Sequence, residues 1–325
     1  MALPTVTVSE RLDPRARAAV ARLLEAVAAS RGRPALGEHV ARLLARHDAG
    51  DAVAGFRVVT AVAPSDGVEA VAVAGPADGN GPGSVVEVAV APAAEAHRAD
   101  LETLVLDAVV ATVVGSPGTA GPPVRLWAHD VGPADDEAAA SCGFEVERTL
   151  LQLRAPLPAP LGARVRADLQ IRPFRPGADE DAWVAVNNRA FTGHPEQGSW
   201  TRATLLERER EPWFDPDDLV LGELAGRLVG SCWTKVHREE DPPVGEIYAI
   251  GVDPDTHGTG VGRALVLAGL ERMERSGLRT AMLYVDAANE PALRLYRSLG
   301  FRTVRVDRSY LREAGAPGET VIPRA

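Results

Sequence analysis

Cysteine is scarce in this chain. Cys142 and Cys232 are its two cysteines in 325 residues, and neither lies in a CxxC motif. Disulfide scaffolds and structural zinc sites need paired or clustered cysteines, so the sequence predicts neither. Unpaired cysteines are typical of a reducing environment, and we therefore expect a cytoplasmic protein without a metal.

Long apolar segments are also missing. The stretch MALPTVTVSERLDPRAR has no apolar region of the signal-peptide type, and Asp107 interrupts the apolar run LVLDAVVATVVG. A membrane-spanning helix needs about 20 consecutive, mostly apolar residues. The sequence therefore predicts no membrane partner.

Positive charge is in short supply as well. The chain has 35 Lys+Arg against 45 Asp+Glu, which gives a net charge of −10. Nucleic-acid backbones are bound by clustered Lys and Arg, so we expect no nucleic-acid partner. Lys235 is the single lysine. Its compact ammonium differs from the rigid guanidinium of arginine and makes it a candidate site residue, although a chance surface lysine explains it equally well.

What the chain does contain is an internal repeat. The segment LWAHDVGPADDEAAASCGF (126–144) aligns without a gap on LYVDAANEPALRLYRSLGF (283–301), and SVVEVAVAP (84–92) aligns on EIYAIGVDP (246–254). A repeat of this length predicts two domains of one fold in tandem. We place the first domain at 1–155, a proline-rich linker at 156–168 and the second domain at 169–325.

The two copies differ at the positions that carry chemistry. At these positions the second copy has a carboxylate, three glycines and a tyrosine, and the first copy keeps none of them at the aligned position, which predicts one active domain and one degenerate copy. Glu246, Gly258, Gly260, Gly262 and Tyr296 of the second copy align with Ser84, Ala96, Arg98, Asp100 and Ala139 of the first.

The stretch GEIYAIGVDPDTHGTGVGR (245–263) is the richest of these regions. It predicts a strand, a break at Asp253-Pro254, a glycine loop and a helix that opens near Gly262. Backbone N–H groups and the helix dipole make such a unit an anion-binding site. A dinucleotide fold needs a third glycine where Arg263 stands, and a nucleoside-triphosphate loop needs a lysine that is missing here.

The same stretch resembles the GNAT family of N-acetyltransferases. That family has V-x-P-x-x-[R/Q]-x-x-G-x-[G/A], which Val252, Pro254, Gly260 and Gly262 match, with His257 in place of Arg or Gln. The segment from Asn289, with the pattern A-x-x-x-Y-x-x-x-G-F, resembles the family's fourth-helix signature. The resemblance implies acetyl-CoA as cosubstrate and an α/β fold of two tandem GNAT domains, each a mixed, mostly antiparallel sheet flanked by helices.

The resemblance also implies catalytic roles. Glu246 would act as the general base for the acceptor amine and Tyr296 as the general acid for the departing thiolate. A strand bulge near Ile250–Val252 would present a backbone N–H to the thioester carbonyl. Plainer explanations stay open, because Glu246 can be an ordinary edge carboxylate and Tyr296 a core aromatic residue.

The motifs HPEQG, WFDPDDL, WTKVH and GEIYAIGVDP resemble tandem members of the family that acetylate the cysteinyl amine of a cysteinyl-glucosaminyl-inositol. The resemblance implies a small amino-sugar thiol substrate and a monomer. Surface or hydrogen-bonded roles are expected for His194 and His237. The implied substrate residues are Glu38, Glu196, Lys235, Glu246 and Tyr284. The implied acetyl-CoA residues are Ile250, Gly251, Val252, His257, Gly258, Thr259, Gly260, Val261, Gly262, Arg263, Asn289, Glu290, Pro291, Ala292, Leu293 and Arg294. The first domain has a loop without glycine, so weak or absent acetyl-CoA binding is expected there, with Val88, Ala89 and Val90 as the residual strand contact.

Two other functions remain open at this point. One is an acetyltransferase for a different amine, such as an aminoglycoside or a protein N-terminus. The other is a catalytically silent acyl-CoA sensor. A sensor predicts that the second copy has lost its polar positions, and it has kept them.

Overall fold

The computed structural model describes residues 4–77, 83–113, 122–159, 166–193, 197–238 and 240–313. Contacts divide the chain into two compact units. Unit 1 comprises Met1–Leu150 and Val306–Ala325, and unit 2 comprises Leu151–Arg305. The domain limits expected from the sequence, 1–155 and 169–325, do not coincide with these bounds. They remain a prediction. Part of the expected linker, residues 160–165, lies outside the described residues.

Unit 1 has a mixed sheet between two layers of helices. Its strands lie in the order β1-β2-β3-β4-β5-β12, antiparallel except for the parallel pair β4–β5. A 3₁₀-helix, Pro92–His97, precedes the third α-helix. The elements are β1 (Thr5–Ser9), α1 (Pro14–Arg31), α2 (Glu38–Asp48), β2 (Arg57–Val62), β3 (Val68–Pro76), β4 (Ser84–Val90), α3 (Arg98–Val113), β5 (Val124–Ala128), α4 (Pro133–Ser141) and the end of β12 (Arg302–Arg312).

Helices cover both faces of this sheet, so the side chains that alternate along each strand are buried on either side. On β2, Val59 packs in the cluster that contains α3. Its neighbour Val58 packs on the other face, in the cluster that contains α1 and α2. Asp13 begins α1 by accepting the Ala16 N–H at 2.8 Å, as its side chain predicts. The strand β1 was not expected from the sequence, because its valines alternate with threonines over only five residues.

Unit 2 repeats the same plan. Its strands lie in the order β6-β11-β10-β9-β8-β7, with neighbours antiparallel from β7 to β10 and β10–β11 parallel. The elements are the end of β6 (Glu145–Pro156), β7 (Leu169–Pro173), α5 (Glu180–Ala190), α6 (Arg202–Arg208), β8 (Leu219–Leu224), β9 (Arg227–His237), β10 (Val244–Val252), α7 (Val261–Arg275), β11 (Thr280–Asp286), α8 (Glu290–Ser298) and the start of β12.

Each face of the unit 2 sheet has its own core. Ile247 and Leu283 pack with residues of α7 and α8 on one face. Trp233 packs with residues of α5 and α6 on the other. The expected fold class, mixed α/β with helices flanking a mostly antiparallel sheet, is therefore confirmed.

Two strands pass from one unit to the other. β6 begins at Glu145 in unit 1 and enters unit 2 at Leu151. β12 begins at Arg302 in unit 2 and enters unit 1 at Val306. There Tyr310 pairs with Leu126 of β5 and is buried in the unit 1 core. Each unit thus contains a strand segment from the other half of the repeat.

Candidate active site

The strand β10 forms the centre of the candidate site. Its parallel pairing with β11 joins Gly245–Ile247 to Ala281–Leu283 and does not extend further within the described strands. On its other side, the register with β9 shifts between Ile247 and Ala249, so Tyr248 is an extra residue in a bulge. The bulge lies earlier than the expected position at Ile250–Val252. The edge of β10 that faces away from β9 is therefore open after Ile247.

The bulge also changes which side chains face which helix. Ile247 and, beyond the bulge, Ile250 both pack against the core that contains α7. Gly251 faces the opposite way. A Cβ atom at Gly251 would lie 3.1 Å from the Cβ of Ala190 and 3.2 Å from a ring carbon of Phe191. Glycine at this position lets the backbone of β10 pass close to the end of α5.

The glycine loop follows the open edge. After the 3₁₀-helix Pro254–Thr256, Gly258 and Gly260 adopt φ values of 73° and 91°. Residues with a side chain rarely adopt these φ values. A Cβ atom on either glycine would meet nothing within 4 Å, so glycine is needed here for its backbone conformation and not for lack of space. The helix α7 then begins at Val261, and its first intrahelical bond is donated by Ala264 N–H to the Gly260 carbonyl. The backbone N–H groups of the helix residues before Ala264 make no such bond and can bind a ligand.

The buried carboxylate of Asp253 stabilises the start of the loop. Asp253 accepts a hydrogen bond from Arg189 at 2.9 Å and another from the Asp255 N–H at 3.0 Å. His257, which replaces the usual Arg or Gln, places Nε2 3.1 Å from the Val252 carbonyl. This contact ties the loop back to the end of β10.

The N-terminus of α8 is a second candidate contact for the cosubstrate. Asn289 caps the helix by accepting the Ala292 N–H at 3.2 Å, and Asp286 accepts the Ala288 N–H at 2.8 Å. The Asn289 side chain therefore has a structural role, and the backbone of this turn is the part that remains suited to a ligand.

Glu246 lies on the sheet face opposite α7. Its neighbour Ile247 packs toward α7, so strand alternation directs Glu246 to the other face. Its Oε2 atom lies 2.7 Å from Nε2 of His237 on β9, and both side chains are mostly buried. Sequence reasoning did not join the two, because His237 and Glu246 meet through the β9–β10 pairing.

Lys235 lies directly opposite Glu246 in the β9–β10 register, yet its ammonium points elsewhere. Its Nζ atom is 4.8 Å from the ring centroid of Trp213 and 5.8 Å from that of Tyr248. These are cation–π distances. The aromatic pocket around the chain's single lysine argues against a chance surface position. Trp213 and Tyr248 are site residues that sequence reasoning missed, although the motifs containing them were noted.

Tyr284 is held by two donors. Gln152 Nε2 donates to its hydroxyl oxygen at 2.7 Å, and Arg305 donates to the same oxygen. The residue is 36% exposed, so its ring can contact a substrate. Neither Gln152 nor Arg305 was expected from the sequence, because Gln152 belongs to the half assigned to the first domain.

Tyr296 lies on α8 in the core shared with α7. Its ring is 5.8 Å from that of Phe301, and the residue is only 5% exposed. Burial, with a smaller contribution from Cys232, raises the pKa of the phenol above its ordinary value. Tyr296 is therefore protonated at neutral pH, as a general acid requires, and its packing also fits the plainer explanation of a core aromatic residue.

Two further expected substrate residues are Glu196 and Glu38. Glu196 lies outside the described residues, as does His194. Glu38 is the first residue of α2 in unit 1, where its carboxylate is exposed and accepts a hydrogen bond from Arg42 at 2.6 Å. Its expected contact with substrate remains a prediction.

Comparison with known proteins identifies the family. A family model described as the Acetyltransferase (GNAT) family matches residues 182–301. The chain is similar to a mycothiol acetyltransferase of Geodermatophilus obscurus, with 41% identity over 324 residues that cover 96% of this chain and 99% of the relative. The chain belongs to the GNAT acetyltransferase family. It is therefore an acetyl-transferring enzyme of a family that uses acetyl-CoA as cosubstrate.

Further comparisons agree with a GNAT assignment. A mycothiol acetyltransferase of Thermobispora bispora is 52% identical over 198 residues, which cover 60% of this chain and 67% of the relative. A solved GCN5-related N-acetyltransferase from Sphaerobacter thermophilus aligns with a TM-score of 0.68 over 98% of this chain and 99% of its own. At 21% identity, that structure shows the fold alone.

The residues present fit the GNAT cosubstrate. The opening after Ile247 leaves strand backbone for an extended acyl-pantetheine chain, and the amides that begin α7 suit a pyrophosphate. Among the described residues, no cluster of three His, Cys, Asp or Glu side chains is arranged to hold a metal ion. No helix within the described ranges is long and apolar enough to cross a membrane.

The equivalent region of unit 1 is filled by its own side chains. Its parallel β4–β5 pairing also stops early, at Glu87 opposite Trp127. At the start of α3, however, Arg98 forms ion pairs with Glu102 at 2.8 Å and Asp135 at 2.9 Å. A cavity of about 20 Å³ beside this cluster has room for little more than one water. The expected weak or absent acetyl-CoA binding in the first domain, with Val88, Ala89 and Val90 as the residual strand contact, thus has a physical reason and stays a prediction.

Proposed function

We propose that this GNAT enzyme transfers the acetyl group of acetyl-CoA to the cysteinyl α-amine of a cysteinyl-glucosaminyl-inositol, giving mycothiol and CoA. The observation that carries the proposal is the position of Glu246 at the point where β10 parts from β11, with Lys235 opposite it. Similarity to a mycothiol acetyltransferase over nearly the whole of both chains supports the choice of substrate.

The proposed chemistry begins with the amine. An α-amine has a pKa of about 7.7–8.0, so only a modest base is needed to keep it neutral. Glu246 takes a proton from the amine, directly or through one water, while the nitrogen attacks the thioester carbon. A backbone N–H of the β10 segment Ile250–Val252 donates to the carbonyl oxygen as charge develops on it.

Collapse of the intermediate breaks the carbon–sulfur bond. The departing sulfur takes a proton from Tyr296, so the products are the amide and the free thiol of CoA. Tyr296 lies on the α7 side of the sheet and Glu246 on the other side. The opening between β10 and β11 lies between these two faces, which suits a thioester that passes through the sheet.

Substrate selection is proposed to depend on Lys235, Tyr284, Glu38 and Glu196. A polyol with an amine offers many hydroxyl groups, so it suits a surface of charged and hydroxyl side chains. Acetyl-CoA is proposed to bind the residues expected from the resemblance, which are 250–252, 257–263 and 289–294.

A thiol-release assay with a panel of amines tests this function. The panel contains the cysteinyl-glucosaminyl-inositol, the same conjugate without its cysteinyl group, an aminoglycoside and a peptide with a free N-terminus. We expect kcat/KM to be at least about 100-fold higher for the first compound, because several buried polar contacts would be left unpaired with the others. A preference for the aminoglycoside or the peptide contradicts the substrate, and no thiol release with any amine contradicts catalysis.

A further inference from the structure

The contacts of Glu246 present an arrangement that its strand position alone does not predict. Lys235 is its direct cross-strand partner, and an ion pair between the two is the ordinary result of that register. Within the described residues, Lys235 makes no ion pair with Glu246. The carboxylate is instead held by His237, the residue opposite Val244.

We propose that His237 is a positioning residue that keeps the base and the lysine apart. Its Nε2–H donates to Oε2 of Glu246, which leaves Oε1 directed at the acceptor amine. Lys235 then remains over Trp213 and Tyr248, where its ammonium is available to the polar groups of the acceptor. This inference rests on the proposed role of Glu246 in acetyl transfer.

Partial burial gives this contact its importance. The side chains of His237 and Glu246 are 17% and 13% exposed, so water does not easily replace a lost hydrogen bond. Without His237, Lys235, the cross-strand partner of Glu246, is a cation positioned to pair with the carboxylate. Such a pair would turn the carboxylate away from the amine, and it would remove the ammonium from the aromatic pocket.

Within the described part of the chain, the neighbouring strand β11 offers Glu246 no cation in register. On the other side of Glu246, β11 presents Met282 in register. Arg154 of β6 lies 4.0 Å from the Met282 sulfur, and it is already paired with Glu240 at 2.9 Å. His237 and Lys235 are thus the two polar side chains that compete for the Glu246 carboxylate from the described part of β9.

The test compares His237→Ala with His237→Gln. The Gln variant keeps an N–H donor near the position of Nε2, whereas the Ala variant removes it. For His237→Ala we expect kcat to fall about 10-fold to 100-fold, as for a lost hydrogen bond to a charged group, with an unchanged KM for acetyl-CoA. His237→Gln is expected to restore kcat to within about 3-fold of the parent enzyme. Adding Lys235→Met to His237→Ala is expected to recover part of the lost kcat, because the competing cation is gone.

Several results overturn the inference. These are a parental kcat in His237→Ala, an equal loss in the Gln and Ala variants, or a further loss in the double variant without any recovery. His97→Ala, an exposed histidine of unit 1, is the matched control, and thermal melting of every variant shows that it is folded. The assays use whichever amine the parent enzyme acetylates fastest. A failure of the proposed substrate therefore appears in the parent enzyme, and a failure of the inference appears only in the variants.

Discussion

At the scale of single residues, the proposed reaction depends on Glu246 and Tyr296. Replacing Glu246 by Gln keeps the shape of the side chain and removes its basicity. We expect kcat to fall by about 10²-fold to 10⁴-fold, the usual contribution of a general base. Acetyl-CoA affinity, measured by calorimetry, should stay the same, because Glu246 lies on the face opposite the α7 core. Glu271→Gln, an exposed carboxylate of α7, is the control.

Replacing Tyr296 by Phe removes the proposed proton donor and keeps the ring in the core. We expect a lower kcat with little change in the melting temperature. Because burial raises the pKa of the phenol, Tyr296 stays protonated as the pH approaches its ordinary value of about 10. The high-pH limb of the parent rate profile should therefore not follow Tyr296. Full activity of Tyr296→Phe would leave this residue with a packing role alone.

Some site residues could be predicted from the sequence, and others could not. Glu246 is recognisable from its position in the motif, and Lys235 from being the single lysine of the chain. His237 and Gln152 are not recognisable in this way, because their roles arise from strand pairing and from the chain path. A sequence places residues two apart on one face, but it does not say which neighbouring strand supplies the hydrogen-bond partner.

At the scale of elements, the glycine loop offers a controlled test. Gly258→Ala and Gly260→Ala force a side chain into the left-handed region, at a cost of about 1–2 kcal/mol each. If the loop amides bind acetyl-CoA, the KM for acetyl-CoA should rise severalfold beyond what lost stability explains. Gly277→Ala is the matched control, since Gly277 follows α7 with φ 80° and open space around its Cβ position. Equal kinetic effects at Gly277 and Gly260 would contradict a binding role for the loop.

The sequence predicted the order of these elements better than their fine structure. The strand–loop–helix unit and the hairpin at Ala225-Gly226 follow from glycine, proline and alternation. The bulge lies at Tyr248, earlier than the expected segment Ile250–Val252. Its position was not predictable, because the residues around it are all compatible with a regular strand. The sequence from Ala93 has a continuous helical pattern, whereas the structure has a 3₁₀-helix, Pro92–His97, followed by α3.

At the scale of the whole molecule, the exchanged strands predict the effect of truncation. A chain that ends at Arg305 loses the segment of β12 that pairs with β5, including the buried Tyr310. We expect unit 1 to lose at least about 3 kcal/mol of stability, the loss typical of removing one large core aromatic residue. Hydrogen exchange should then become faster in Val124–Ala128.

A chain that ends at Glu313 is the control, because it keeps the whole of β12. Unchanged protection of β5 in the shorter chain would show that the Tyr310 segment does not stabilise unit 1. The hydroxyl of Tyr310 donates to Asp136 at 2.7 Å, so Asp136→Asn is expected to weaken the same unit by a smaller amount.

The internal repeat showed that the chain contains two copies of one fold, but it could not show the exchange. β6 and β12 occupy equivalent positions in their copies and have similar strand patterns. Local propensity therefore does not determine which sheet each strand completes. That choice depends on long-range pairing, which a single sequence does not reveal.

The exchange also bears on the history of the gene. After a duplication, a copy that loses its ligand loop is normally free to be deleted. Here the half with the filled loop region supplies Leu151–Pro156 to the unit with the open glycine loop, and it receives Val306–Arg312 in return. Deleting either half would remove a strand from the survivor. Because each half depends on a strand of the other, selection that preserves one half also preserves the other.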